Sequence, residues 1–188
     1  MRVIGGSAGG RRLQSPPRPR VSGRPGVRPT SDLVRGAIFD MLDAMGADYT
    51  RVLDLYAGSG ALGIEALSRG DGTADFVETD PGAAATAAAN LAITGFESRA
   101  KVLRLTAERA AARLSGPYTL VLADPPYYDE GAPQVVQAIA ASPLVDKRTV
   151  LVLEHHRRWI APDAMGPLML YRSRRHGDTV VSIYRGRE

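Results

Sequence analysis

A strand, a glycine-rich turn and the start of a helix follow one another in Val52-Leu53-Asp54-Leu55-Tyr56-Ala57-Gly58-Ser59-Gly60-Ala61-Leu62-Gly63. The apolar residues at its start are typical of a buried strand. The glycines satisfy the pattern G-x-G-x-x-G in the context that gives it meaning, after a strand and before a helix. This order predicts an α/β domain in which the turn faces a bound ligand at the carboxyl edge of the sheet.

Strand and helix patterns alternate along the rest of the chain. Strand signals cover residues 52–55, 74–78, 100–105, 118–123 and 149–154, and helix signals cover residues 30–45, 61–68, 81–93, 107–114 and 133–141. Alternation predicts a mostly parallel sheet with helices on both faces. The last two strands, residues 168–173 and 179–184, are separated only by a turn and predict an antiparallel hairpin. We therefore expect a Rossmann-like α/β fold with a mostly parallel, seven-stranded sheet that ends in an antiparallel hairpin.

Two acids near the glycine turn narrow the choice of ligand. Glu78 lies 15 residues after Gly63, where a carboxylate can accept hydrogen bonds from the hydroxyls of an adenosine ribose. Both NAD and S-adenosyl-L-methionine satisfy this pattern. Asp54 lies four residues before Gly58, where a carboxylate would repel a pyrophosphate but attract the ammonium group of S-adenosyl-L-methionine. Asp54 therefore favours the methyl donor.

A rigid loop follows the fourth predicted strand at Asp124-Pro125-Pro126-Tyr127. Neither proline can donate to a sheet ladder, so the strand must end at Asp124. The loop then holds a carboxylate, a proline carbonyl and an aromatic ring at the edge where α/β sheets bind ligands. Two acceptors beside an aromatic ring suit a flat base with an exocyclic amine. We expect Asp124 and Pro125 to accept hydrogen bonds from that amine and Tyr127 to stack on the base.

Positive charge is concentrated at the N-terminal end of the chain. Residues 1–35 contain eight arginines against one acid, Asp32, a net charge of +7, whereas the other 153 residues sum to −3. Such a segment suits a polyanion, and we predict an RNA-contacting extension at residues 1–29, before a methyltransferase domain at residues 30–188. The extension can form a short hairpin or order on RNA; the alternative interpretation is a solvated tail. The arginines predicted to contact RNA are Arg2, Arg11, Arg12, Arg18, Arg20, Arg24, Arg28 and Arg35.

The composition excludes several kinds of site. The 188 residues include no cysteine, which rules out disulfides, thiolate metal sites and a cysteine nucleophile. The three histidines show no metal-ligand spacing, and no apolar run approaches the ~20 residues of a membrane span. The first residues lack the apolar core of a signal peptide. We expect no metal, no membrane partner, a cytoplasmic location and a monomer.

The glycine turn and Asp124-Pro125-Pro126-Tyr127 together resemble the bacterial small-subunit (16S) ribosomal RNA guanine-N2 methyltransferases of the RsmD type. Three further stretches fit that family. They are Arg2-Val3-Ile4-Gly5-Gly6, then Gly26-Val27-Arg28-Pro29-Thr30 with Asp32 and Val34-Arg35, and Glu65-Ala66-Leu67-Ser68-Arg69-Gly70. The resemblance runs from the first residue to the last predicted strand.

This resemblance implies S-adenosyl-L-methionine-dependent methylation of the N2 amine of guanine 966, in the small ribosomal subunit or its late precursor. The catalytic residues would be Asp124, Pro125, Pro126 and Tyr127. The residues expected to bind the cofactor are Thr30, Asp54, Tyr56, Ala57, Gly58, Gly60, Glu78, Thr106 and Ala107. One departure concerns the adenine contact, since many relatives carry an acid or amide where this chain has Thr106-Ala107.

Two other functions stay open on the residues alone. The loop at Asp124 also suits a DNA amino-methyltransferase that acts on adenine N6 or cytosine N4. A non-catalytic RNA-binding assembly factor could retain the same cofactor pocket. The segment His155-His156-Arg157-Arg158-Trp159 predicts either a second basic and aromatic RNA contact or a solvated face around one buried tryptophan.

Overall fold

The computed structural model of the protein describes residues 1–16, 32–126, 129 and 131–187. Its helices are α1 (Asp32–Ala44), α2 (Ala61–Arg69), α3 (Pro81–Thr94), α4 (Ala107–Arg113) and α5 (Ala132–Ala140). Its strands are β1 (Arg51–Leu55), β2 (Thr73–Val77), β3 (Ala100–Leu103), β4 (Leu120–Ala123), β5 (Val150–His156), β6 (Ala164–Met165), β7 (Leu168–His176) and β8 (Thr179–Gly186). The predictions for Arg18, Arg20, Arg24, Arg28, Thr30 and Tyr127 lie outside the described residues.

The strands form one mixed sheet in the order β3-β2-β1-β4-β5-β8-β7-β6. The strands β1 to β5 are parallel, and β8 runs antiparallel to both β5 and β7. The predicted fold class is confirmed, including the antiparallel hairpin near the C-terminus. The sheet has eight strands rather than seven because β6 pairs with the first two residues of β7. A two-residue strand leaves no periodic signal in the sequence, so it was not predicted.

The central strands are buried on both faces, and alternate residues pack into two separate clusters. Val52, Leu120 and Val152 point to the face that α1, α2 and α3 cover. Leu53 and Val121 point to the opposite face, which α4 and α5 cover. This alternation follows from the period of two in a strand. The helices therefore cover both faces and leave the carboxyl ends of the parallel strands at one common edge.

Residues 1–13, called the N-terminal hairpin below, fold back on themselves and pack against the domain. Arg2 and Arg12 form an antiparallel bridge, and the N–H of Val3 donates to the carbonyl of Arg11 at 2.9 Å. Val3, Ala8 and Leu13 are buried in the same cluster as α1, α2 and α3. The N-terminal hairpin is therefore part of the hydrophobic core. A separate domain boundary near residue 30 stays a prediction, because residues 17–31 are not described.

The buried carboxylate of Glu65, in α2, holds the N-terminal hairpin in place. It accepts hydrogen bonds from the N–H groups of Ile4 at 2.7 Å and Gly5 at 2.8 Å. It also accepts one from Arg69 Nε at 3.0 Å and lies 3.6 Å from Arg35 Nε. Because the Glu65 side chain is completely buried, these partners replace the water that it loses on folding.

Arg35, which was predicted to contact RNA, lies inside the protein. Its side chain is 0% exposed, and its guanidinium donates to Asp32 Oδ1 at 3.0 Å and to the backbone carbonyl of Arg2. A guanidinium enclosed in this way cannot reach a phosphate in solvent, so the RNA contact predicted for Arg35 is wrong. The physical reason is the helical period, since Arg35 lies on the inward face of α1 three residues before the buried Ile38.

Replacing Glu65 by alanine would remove one of the two described carboxylate partners of the buried Arg35, leaving only Asp32, and would leave two backbone N–H groups without an acceptor. We expect the free energy of unfolding to fall by about 3–5 kcal/mol, which for a domain of this size lowers Tm by roughly 6–20 °C. Thermal unfolding followed by circular dichroism measures the change. Glu97→Ala removes an exposed carboxylate and should change stability by no more than about 0.5 kcal/mol. Equal Tm values for the two variants would contradict the anchoring role.

Candidate active site

Three carboxylates meet at the carboxyl edge of the parallel strands. The strand register aligns Leu55 of β1 with Val77 of β2 on one side and Ala123 of β4 on the other. Asp54 is in β1, Glu78 follows β2 directly, and Asp124 follows β4 directly. Glu78 and Asp124 both act electrostatically on Asp54. The sheet register therefore brings together the three acids that the sequence placed at the ends of separate strands.

The glycine turn after β1 has a conformation that its residues make possible. Gly58 and Gly60 have φ angles of 56° and 79°, and Tyr56 has a φ of 59°. The left-handed region costs a residue with a Cβ more than it costs glycine, so the strain is concentrated at Tyr56. A Cβ at Gly63 would lie 2.4 Å from the Phe76 ring. Gly63 is therefore required by the close packing of α2 on β2.

Glu78 supports the glycine turn directly. Its Oε2 accepts a hydrogen bond from the Gly58 N–H at 2.8 Å, and its Oε1 accepts one from the Asp80 N–H at 2.8 Å. The Asp80 side chain in turn accepts from the Ala83 N–H at 2.7 Å, and so caps α3. The Glu78 carboxylate thus joins the glycine turn to the start of α3. Its predicted contact with a ribose stays a prediction.

Asp54 is almost completely buried, and its Oδ2 accepts a hydrogen bond from the Gly63 N–H at 2.8 Å. Burial raises the pKa of Asp54 well above its ordinary value of 3.8, because it removes water from the charged form. The bond from Gly63 lowers this pKa in part, and the nearby charges of Asp124 and Glu78 raise it further. A cationic ligand would relieve this excess of negative charge. The acids at this edge therefore fit a positively charged ligand such as a sulfonium with an ammonium group.

Two backbone hydrogen bonds join described residues of the loop between β4 and α5. β4 ends at Ala123, as predicted, and Asp124 is partly exposed while Pro125 is buried. The N–H of Asp129 donates to the carbonyl of Pro126 at 2.9 Å, and the N–H of Ala132 donates to the carbonyl of Asp129 at 3.2 Å. These bonds fix the end of the loop next to α5, whereas the pairing of β4 with β1 holds Asp124 at the edge near Asp54.

Asn90 joins the N-terminal hairpin to the glycine turn, and sequence analysis missed it. Its Nδ2 donates to the carbonyls of Ser59 at 2.9 Å and Gln14 at 3.0 Å, and its Oδ1 accepts from the Gln14 N–H at 2.7 Å. Asn90 is fully buried, so these bonds satisfy every polar atom of its amide. The available signal was an isolated asparagine in an alanine-rich helix. Removing the N-terminal hairpin would therefore disturb the glycine turn as well as any RNA contact.

The other predicted residues lie around this edge or on the N-terminal hairpin. Thr106 caps α4 by accepting a hydrogen bond from the Arg109 N–H at 3.3 Å, and Ala107 is buried. Tyr56 is partly buried, and burial raises the pKa of its hydroxyl. The three described arginines of the N-terminal hairpin, Arg2, Arg11 and Arg12, are exposed. Thr106 therefore has its hydroxyl already engaged, and its adenine contact stays a prediction.

Residues 155–159, at the end of β5 and directly after it, contain one buried ring and two exposed cations. His155 is buried, and its Nε2 lies 2.9 Å from Ser182 Oγ. Burial lowers the pKa of His155. Trp159 packs edge-on against His155, with ring centroids 4.7 Å apart. Arg157 and Arg158 point to solvent, so the charged part of this segment remains accessible.

Within residues 1–16, 32–126, 129 and 131–187, no three histidine, aspartate or glutamate side chains are grouped as metal ligands. In the same residues, every helix is too short or too polar to cross a membrane.

A parallel sheet closed by an antiparallel hairpin, with a glycine turn after β1, is the fold of the class I methyltransferases, whose methyl donor is S-adenosyl-L-methionine. The chain belongs to the family described as Conserved hypothetical protein 95, whose model matches residues 1–185. The predicted family is thereby confirmed.

Several known proteins resemble the chain. The "Putative rRNA methyltransferase YlbH" of Bacillus subtilis is 38% identical over 190 residues, which is 100% of both chains. The "Ribosomal RNA small subunit methyltransferase D" of Escherichia coli is 39% identical over 127 residues, which is 68% of this chain and 60% of that protein. The solved structure of the "Putative methyltransferase yhhF" of Escherichia coli has a TM-score of 0.80 and 30% identity, and the match covers 100% of this chain and 99% of that one.

A shorter match concerns a different substrate. The "tRNA1(Val) (adenine(37)-N6)-methyltransferase" of Salmonella typhi is 35% identical over 113 residues, which is 57% of this chain and 46% of that protein.

Binding of S-adenosyl-L-methionine should strengthen as the pH rises. The folded protein without a ligand favours neutral Asp54, so it loses stability as the pH rises from 3.8 towards the raised pKa. A cationic ligand favours the carboxylate instead. The dissociation constant should therefore fall by up to about tenfold per pH unit below the pKa of Asp54.

Isothermal titration calorimetry between about pH 5.5 and pH 7, where the donor's α-amino group stays charged, measures this dependence. Asp54→Asn should bind the donor more weakly and lose the dependence on pH. Asp75→Asn is the control, because Asp75 lies in β2 but accepts a hydrogen bond from the Tyr118 hydroxyl at 2.6 Å. It should keep the wild-type profile. A wild-type profile in Asp54→Asn would contradict the assignment.

Proposed function

We propose that this protein transfers the methyl group of S-adenosyl-L-methionine to the exocyclic N2 amine of a guanine in 16S rRNA of the small ribosomal subunit. The observation that carries the proposal is the joint position of Asp124-Pro125 and the buried Asp54 at one edge of the sheet. Asp124 and Pro125 offer hydrogen-bond acceptors for an amine. Asp54 suits a cationic methyl donor. A methyl group and an amine held side by side in this way can react in line: the nitrogen–methyl bond would form as the sulfur–methyl bond breaks, S-adenosyl-L-homocysteine would leave, and the methylated amine would release one proton to solvent.

Asp124 and Pro125 activate the amine in this mechanism. The lone pair of an exocyclic amine is delocalised into the base, so the amine is a weak nucleophile. The Asp124 carboxylate and the Pro125 carbonyl accept its two N–H groups and so localise the lone pair towards the methyl group. A charged acceptor roughly doubles the strength of such a hydrogen bond. Orientation in a site without water supplies most of the rate gain.

The donor would lie along the glycine turn. Asp54 would pair with its ammonium group, and Glu78 would accept from its ribose hydroxyls. Tyr56, Ala57, Gly58 and Gly60 would line it, and Thr106 with Ala107 would border the adenine ring. When bound, the donor supplies an electrophilic methyl group on a sulfonium. Tyr127, outside the described residues, is predicted to stack on the target base, a contact worth about 1–3 kcal/mol.

Ribosomal RNA is the substrate class that the relatives favour, since two of them are named as rRNA methyltransferases. The exposed arginines of the N-terminal hairpin support it, because they would hold backbone phosphates without reading sequence. A target base must leave its stack to reach Asp124, which favours an exposed loop of structured RNA. The assignment of the target to the N2 amine of guanine, and to position 966, rests on the family resemblance. Adenine N6 is the second candidate, because of the shorter match to a tRNA methyltransferase.

Asp124→Ala should lower the rate of methyl transfer by at least about 100-fold, because it removes the charged acceptor that activates the amine. The dissociation constant for the methyl donor should stay within about threefold of the wild-type value. Single-turnover transfer of a labelled methyl group to RNA measures the rate. Asp129→Ala, an exposed carboxylate in the same loop, is the matched control and should retain the wild-type rate. Near wild-type transfer by Asp124→Ala would overturn the mechanism.

The substrate is identified by offering labelled methyl donor with small subunits that lack the modification, naked 16S rRNA, tRNA or duplex DNA. We expect label in the small subunits, and N2-methylguanosine after nuclease digestion. N6-methyladenosine in tRNA would favour the second candidate. Label in duplex DNA would move the protein to the DNA amino-methyltransferases, and no label anywhere would favour a non-catalytic RNA-binding protein.

A further inference from the structure

The net charge of −3 over residues 36–188 is the sum of a negatively charged segment and a positively charged segment. Residues 36–154 contain nine basic residues and sixteen acids, a net charge of −7. Residues 155–188 contain seven arginines and three acids, a net charge of +4. The chain is therefore basic at both ends and acidic in between. A polyanion would be repelled by the middle of the domain and attracted by both ends.

The sheet register places the basic C-terminal strands beside the active site. Ala123 of β4 pairs with Leu153 of β5, so Asp124 is level with the next residue, Glu154. Glu154 pairs with Val181 of β8, which pairs with Arg174 of β7. Arg174 and Asp124 thus lie in one row, three strand spacings apart, or roughly 14 Å. This distance is about the rise of four stacked nucleotides.

Three exposed arginines, Arg172, Arg174 and Arg175, follow the outer edge of β7 and are called the β7 arginines below. β6 pairs only with Leu168 and Met169, so among the described residues no strand covers β7 beyond them. Tyr171 is 42% exposed at the start of this edge. The edge therefore combines accessible guanidinium groups with an aromatic ring, a combination that suits nucleic acid.

The N-terminal hairpin approaches the active site from the other direction. Gln14, which follows it directly, is held through Asn90 to Ser59 of the glycine turn, on the β1 side of Asp124. β7 lies on the β5 and β8 side. The end of the N-terminal hairpin and β7 therefore lie on opposite sides of Asp124 along the sheet, although they are at opposite ends of the sequence.

We propose that the β7 arginines bind backbone phosphates of the substrate RNA beside the target base, so that the RNA crosses the active-site edge between the N-terminal hairpin and β7. This inference rests on the proposed RNA substrate. It adds a second phosphate-binding surface to the N-terminal hairpin and assigns its position relative to Asp124.

Protection of a sheet edge against other strands is the competing explanation, because charged side chains on an edge strand prevent aggregation. Charged side chains of either sign would protect the edge equally well. The β7 arginines have one sign, no acid lies between residues 164 and 177, and Arg174 lies in the row of Asp124. The two explanations predict different behaviour on substitution, since protection concerns self-association and phosphate binding concerns RNA affinity.

The test compares two triple variants of the full chain with equal charge loss. The first is Arg172→Ala, Arg174→Ala and Arg175→Ala. The control is Arg113→Ala, Lys147→Ala and Arg148→Ala, which removes three exposed cations near the opposite edge, at the end of α4 and directly before β5. Binding to small subunits that lack the modification, and to a 16S rRNA transcript, is measured at several salt concentrations. Donor affinity and light scattering are measured in parallel.

The β7 variant should bind RNA about 10- to 100-fold more weakly near 0.1 M salt, and its salt slope should be smaller by about 2, or ~0.7 for each lost phosphate contact. The β7 variant should bind the methyl donor as tightly as wild type does. The control variant should bind RNA as tightly as wild type does. Unchanged RNA affinity with new self-association would establish edge protection and overturn the proposal. An equal loss of RNA affinity in the control variant would also overturn it.

If RNA binding by the β7 variant falls as expected but wild type methylates none of the substrates, the proposed function fails while the proposed phosphate-binding surface stands. If wild type binds neither the small subunits nor the transcript, both fail.

Discussion

The parallel register of β1, β2, β4 and β5 is the constraint on which the candidate site depends. The aligned pairs at the strand ends, such as Leu55 with Ala123, make every loop emerge at one edge. Asp54, Glu78 and Asp124 are up to 70 residues apart in the chain, yet they influence one another because of that alignment. A shift of one residue would turn each strand's side chains to the other face and separate the acids.

A second constraint comes from buried polar groups that tie the N-terminal hairpin to the domain. Glu65 and Asn90 lose their hydrogen bonds to water on folding. Hydrogen bonds to the hairpin backbone and to Gln14 take their place. Groups of this kind contribute little net stability when complete but cost several kcal/mol when one partner is missing. They therefore specify one position for the hairpin, next to the glycine turn.

The charges of the molecule are arranged for two ligands of opposite sign. The acids at the strand ends favour a cation, and burial raises the pKa of Asp54 because it removes water from the charged form. Exposed arginines lie on either side, on the N-terminal hairpin and on β7. A cationic methyl donor and an anionic RNA can therefore occupy adjacent places without competing for the same groups, which is what a transfer between them requires.

The amino-acid sequence alone determined the α/β alternation, the glycine turn, the end of β4 at Ala123, directly before Asp124, and the antiparallel hairpin, because each depends on local periodicity or on the backbone limits of glycine and proline. It could not separate Arg35, which is buried, from Arg2 or Arg12, which are exposed, since all three occur in one basic segment. It also could not reveal that Asn90 contacts Gln14 or that Arg174 is level with Asp124. Only the tertiary structure decided these, because strand register and helix docking join residues that no local pattern connects.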